Sequence, residues 1–107
     1  MTNFISTGST YWISDEEIQI LEKNATNGDK NSAFKLYQYH MFVSLDQDSE
    51  FKWLEIAAKN GHPIAQSNLA DLFFTQGNKE KAIFWAKKAY RNGAKLPDEL
   101  KILVNIN

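Results

Sequence analysis

The chain has 107 residues, 43% of them apolar and 13% aromatic, which is enough for one domain with a modest core and too apolar for a disordered segment. It contains no cysteine, which excludes a disulfide framework and a thiolate metal site, and no run of about 18 apolar residues, which excludes a membrane-spanning helix. The net charge of −1 conceals an uneven distribution: the first 50 residues hold eight acids against three lysines, and the remainder hold nine bases against five acids.

Residues 1–13 are rich in Ser, Thr and Gly, lack helical period, and read as an extended tail pinned by Tyr11 and Trp12. This start has neither basic residues nor an apolar core, so no secretory signal is expected, and the expected location is cytoplasmic. Residues 14–107 read as a single helical domain. Ser14 and Glu17 have the spacing of a capping box, Asp15 and Glu16 suit the positive end of a helix dipole, and Ile13 is placed to staple onto Ile18. The first helix is therefore predicted over 14–27, stopping at Gly28. A second is predicted over 29–42, with Ala33, Leu36, Tyr37 and His40 toward the core, followed by a loop at 43–48. The third, over 48–60 and capped by Asp48 or Ser49, carries Trp53, Ala57 and Ala58 and ends at Asn60-Gly61. Pro63 opens the fourth, over 63–75, with Ala65, Leu69, Leu72 and Phe73 at helical spacing. After a turn at Gln76-Gly77-Asn78, a fifth helix over 79–92 carries Trp85 and a stripe of Ala82, Ala86 and Ala89. A last one, over 97–104, brings Leu100, Leu103 and Val104 to close the core.

These elements repeat. Gly28, Gly61 and Gly93 are spaced by 33 and 32 residues, Trp53 and Trp85 each stand eight residues before a glycine, and Ala57 and Ala89 stand four before. On the other side of the glycine, Ser32 and Leu36 match Ala65 and Leu69. Small residues at 57, 58, 65 and 89 let backbones approach, and the two indoles fill the wedge between hairpins. A lone hairpin cannot bury its apolar face, so hairpins stack. The expected fold is all-α: a short right-handed α-solenoid of about two and a half antiparallel helix hairpins, whose first helix is the second half of a truncated repeat.

The stretch Lys-Trp-Leu-Glu-Ile-Ala-Ala-Lys-Asn-Gly-His-Pro-Ile-Ala-Gln-Ser-Asn-Leu-Ala at residues 52–70 resembles the Sel-like repeat, a relative of the tetratricopeptide repeat. That family reads Trp-x-x-x-Ala-Ala-x-x-Gly and then Ala-Gln-x-x-Leu-Gly, and residues 83–94 match its first half. The resemblance covers residues 20–96. It departs from the family at Tyr37 and Ala70, where a Gly follows the Leu, and at 41–48, where the family has a Gly-rich loop.

Chemistry-bearing residues are sparse. His40 and His62 could in principle serve as a general base or a metal pair, but no carboxylate stands at His-Glu-x-x-His spacing. His40 is instead expected in the slot that Phe73 takes one repeat later, and His62 in a turn. The acids at 15–17 and at 46 and 48 fall at helix starts, where capping explains them. With no phosphate-binding or nucleophile-elbow motif, neither an enzyme nor a cofactor, metal or small-molecule substrate is expected. The basic run Lys79, Lys81, Lys87, Lys88, Arg91 and Lys95 reads as a solvated face, and with a pI near 6.1 no nucleic-acid partner is expected.

Surfaces remain. In stacked hairpins the first helices of successive repeats line a concave groove, placing Asn31, Lys35, Gln38, Phe42, Ile64, Asn68, Asp71 and Thr75 toward a partner. Asp15, Glu16, Glu17, Glu22, Asp46 and Asp48 form a second candidate surface, suited to a basic protein. Sel-like repeat proteins are often interaction scaffolds, and small single-domain members look like immunity proteins. The resemblance therefore implies a chain that binds and neutralises a cognate bacterial toxin, such as a nuclease with a basic active site. The alternative is an adaptor or regulatory scaffold in a host complex.

Overall fold

A computed structural model describes residues 11–106, so residues 1–10 of the extended tail expected over 1–13 lie outside the described residues. All regular structure among the described residues is helical: α1 (Asp15–Thr26), α2 (Lys30–Tyr39), α3 (Gln47–Lys59), α4 (Pro63–Thr75), α5 (Lys79–Arg91) and α6 (Asp98–Leu103), with a π-helical turn at His40–Ser44 carrying α2 onward. Each helix packs chiefly on its neighbours in the chain, and α1 also touches α3. No described helix is long and apolar enough to cross a membrane.

One core runs through these helices. Trp53 and Trp85 are 3% and 8% exposed, while Ala57, Ala65, Ala86 and Ala89 are fully enclosed beside Leu36, Leu69 and Leu100. Small and large residues alternate at the contacts, so backbones come close at the alanines and the indoles fill the space left over.

Four helix ends close in the same way. After α1, α3, α4 and α5 a glycine takes positive φ (Gly28 102°, Gly61 98°, Gly77 81°, Gly93 94°), as a left-handed closing residue must. In each case the following residue's N–H reaches back to the helix, as in His62 to the Ala57 carbonyl at 3.0 Å and Ala94 to the Ala89 carbonyl at 2.9 Å. These 6→1 bonds satisfy carbonyls that a helix end otherwise leaves open.

Several boundaries differ from the sequence reading. Ser14 does cap α1, its Oγ accepting the Glu17 N–H at 3.2 Å, but Glu17 does not reach back to complete a box. Its carboxylate instead meets Lys35 Nζ on α2 at 3.3 Å. The helix expected to end at Phe42 passes at His40 into the π turn and stops at Leu45, which holds φ 58° without being glycine. Asp46, not Asp48 or Ser49, caps α3: its carboxylate accepts the Ser49 N–H at 3.4 Å and the Ser49 hydroxyl at 2.9 Å. The side-chain oxygen that lies three residues before a free N–H wins the cap, and Asp46 has that spacing. Ile13 is buried, but Trp12 is 62% exposed and pins nothing; Tyr11 packs, stacked on Phe42 at 4.5 Å.

Candidate interaction surface

Helices α2 and α4 are joined across one face by two contacts. Asn68 Nδ2 on α4 donates to Tyr37 Oη on α2 at 3.3 Å. Phe34 stacks on His62 at 4.1 Å between centroids, 15° from parallel. Tyr37 is otherwise enclosed, and burial pushes its phenol above the ordinary range although the Asn68 bond opposes this. A buried hydroxyl of this kind needs a partner, and Asn68 supplies it.

His62 is the N-cap of α4, its Nδ1 accepting the Ala65 N–H at 3.3 Å with Pro63 at the first helical position. Burial, then the charge of Lys30, hold its pKa below the usual value. A neutral ring with Nδ1 as acceptor is the form that this cap requires.

Around these contacts lie three clefts. Tyr11, Phe34 and His62 form the apolar part of the first, with Asn31, Lys35 and Gln38 as its polar rim. Asn68, Asp71 and Thr75 line the second with Tyr37 and Glu50. The third lies between the start of α4, at Pro63, Ile64 and Ser67, and the α5–α6 loop at Lys95 to Pro97. Seven of the eight groove positions expected from the sequence thus fall on these clefts. Phe42 does not line them; the π turn displaces it, and it joins the face only through its stack with Tyr11. Sequence periodicity does not single out Phe34, because a half-buried aromatic at the edge of the buried stripe of α2 gives no periodic signal.

The six acids fall into two groups. Asp15, Glu16 and Glu17 occupy the first turn of α1, exposed, with Glu17 paired to Lys35. Glu22 and Asp46 both face His40, where their charges favour the protonated ring; burial outweighs them and holds its pKa down. Asp46 is engaged by Ser49, whose hydrogen bond keeps its carboxyl below the usual range. Asp48 stands beside it in the first turn of α3. His40 does not occupy the slot that Phe73 fills: Phe73 is 9% exposed, whereas His40 is half-buried with Nδ1 on Ser44 Oγ at 2.7 Å. The π turn lifts it off the core.

Among the described residues no three His, Asp or Glu side chains converge as a metal site would require. On α5 the basic residues are exposed apart from Lys88, whose Nζ lies over Phe84 at 5.3 Å and Trp85 at 5.7 Å. Two exposed aromatics, Phe84 and Tyr90, stand among them.

No family model matches the chain, and no solved structure matches it. It is similar to uncharacterized protein YibG of Escherichia coli strain K12, at 34% identity over 95 residues, 82% of this chain and 62% of that protein. The chain therefore spans less than two thirds of the curated relative it matches.

Proposed function

We propose that the chain is a non-catalytic interaction module of the Sel-like repeat kind, a right-handed stack of about two and a half hairpins that binds a protein partner. In this reading α1 is a second helix without its first, α2–α3 and α4–α5 are complete hairpins, and α6 is a first helix without its second. What supports the stack is the common glycine closure of α1, α3 and α5 at 28, 61 and 93, and the enclosure of Trp53 and Trp85 at the same register.

The partner we propose is a bacterial toxin domain with a basic surface, which the chain holds inactive as an immunity protein. The observation that carries this is the α2–α4 face, where Asn31, Lys35 and Gln38 rim an aromatic cleft and Glu17 of α1 pairs with Lys35. Such a face offers a rigid aromatic anchor inside a polar rim, the layout of a protein interface. Acids that have no ion pair among the described residues, Asp15, Glu16 and Glu22, would speed capture of a basic partner.

The test is association kinetics with the toxin domain obtained by capture from the native cell. Reversing Asp15, Glu16 and Glu22 to lysine should slow association about tenfold or more at low salt, and high salt should abolish the difference. Asp46 is left intact because its loss would uncap α3. An unchanged rate removes the electrostatic part of the proposal, and capture of a multi-subunit complex favours the adaptor reading.

A further inference from the structure

We propose that the chain also associates with itself end to end, α1 of one copy docking on the α5–α6 end of the next, an inference that rests on the stacked-hairpin reading. The helices α1, α3 and α5, which take the same place in the proposed repeat, allow a position-by-position comparison from their closing glycines at 28, 61 and 93. Eight residues before the glycine stand Ile20, Trp53 and Trp85; the two indoles are 3% and 8% exposed, but Ile20 is 60% exposed. Three residues before the glycine stand Ala25, Ala58 and Tyr90; the two alanines are 1% exposed, but Tyr90 is 53% exposed. Each helix of this layer thus has one side for the hairpin before it and one for the hairpin after it. On α1 the first side is open, and on α5 the second.

The two open sides suit each other. The first needs a neighbour presenting the Tyr90 side, and the second needs one presenting the Ile20 side. Ile102 on α6, 76% exposed, adds apolar surface at the same end. Charge points the same way: Glu16, one turn before Ile20 on α1, and Lys87, one turn before Tyr90 on α5, have no ion pair among the described residues. A second copy therefore supplies, in both shape and charge, what each end lacks. Such a contact is head-to-tail, and because it continues the stack along its own axis it stays open, so chains of copies grow with concentration.

Sedimentation velocity of the full chain at low salt tests this. The weight-average mass should climb from 12.3 kDa at micromolar concentration through dimer and trimer toward the millimolar range, and added salt should reverse the rise. Ile20→Asp blocks one end and Tyr90→Asp the other, so each variant alone should remain a monomer. Mixed in equal amounts, the two should form a heterodimer that grows no further, because one working end of each kind remains. A wild-type chain that stays monomeric while its helical circular dichroism and cooperative melting are intact overturns end-to-end association without touching the hairpin stack. A wild-type dimer that stops at two copies overturns it as well, as does a mixture that stays monomeric, which would leave the Ile20 side to a different protein. A hairpin stack that fails shows itself separately, as Trp53→Ala leaving the melting of the chain unchanged.

Discussion

Gln66 and Asn92 hold two helix ends together from inside the protein. Gln66 is 2% exposed; its Nε2 donates to the Ala58 carbonyl near the end of α3 at 3.0 Å, and its Oε1 accepts from Asn92 Nδ2, just past α5, at 2.9 Å. One buried amide therefore joins α3, α4 and α5, and both of its polar atoms are satisfied. Replacing it with Leu keeps most of the volume and loses two hydrogen bonds, so stability should fall by about 1–2 kcal/mol in urea denaturation. Gln66→Glu should cost more at neutral pH, since it sets a carboxylate against a carbonyl, and part of the loss should return as the pH is lowered enough to protonate it.

Leu45 and Gly61 make opposite predictions. Leu45 holds φ 58° and is 72% exposed, so it bears the left-handed penalty with little burial to offset it. Leu45→Gly should stabilise the chain by about 0.5–1 kcal/mol, the steric relief exceeding the entropy of the freer unfolded chain. At Gly61 a Cβ would meet no atom within 4 Å, yet φ is 98°, so Gly61→Ala should destabilise by about 1 kcal/mol for conformational reasons alone. Thermal melts of the two variants decide both signs.

The N-cap of α3 separates two neighbouring acids. Asp46→Ala should cost about 1 kcal/mol, because it strips the Ser49 N–H of its acceptor. Asp48→Ala, at a position whose side chain makes no hydrogen bond among the described residues, should stay within about 0.5 kcal/mol of wild type. Equal effects at the two positions would contradict the cap assignment.

The pH dependence follows from the histidines. Both His62 and His40 have folded pKa values held below the ordinary imidazole value of about 6.5, in each case mainly by burial. The unfolded chain therefore takes up protons first. The stability these rings contribute is fully present above pH 6.5 and is lost as the pH falls from there through their folded values. Protonation of His62 also removes the acceptor that caps α4. His62→Asn keeps a capping side chain that does not titrate, so the decline in urea midpoint from neutral to about pH 5 should flatten, with the His40 part remaining. An unchanged slope would show that His62 is not held neutral in the folded chain.

Most of this architecture was legible in the sequence, for a local reason. Helix stops at Gly28, Gly61 and Gly93, the Ser14 cap and the buried register of Trp53 and Trp85 are set by short-range chemistry and a period that recurs. What escaped was set by contacts between distant residues or by a break in that period. Glu17 has the spacing of a capping box, but Lys35, 18 residues away, takes its carboxylate. The segment at 40–45 has no glycine, so nothing local signalled that the chain would form a π turn, lift His40 from the core and turn Phe42 onto Tyr11. Gln66 could be read as part of a family motif, whereas its role depends on Asn92, 26 residues on.

The most direct test of the account uses a photo-crosslinking amino acid placed, one at a time, at Gln38 and Asp71 on the α2–α4 face and at Lys59 at the far end of α3, in the cell that makes the protein. The account predicts adducts from Gln38 and Asp71 with one and the same protein, a toxin domain with a basic surface, and none from Lys59. Adducts from Lys59 alone, or none from Gln38 and Asp71 while the protein is folded and abundant, would contradict it.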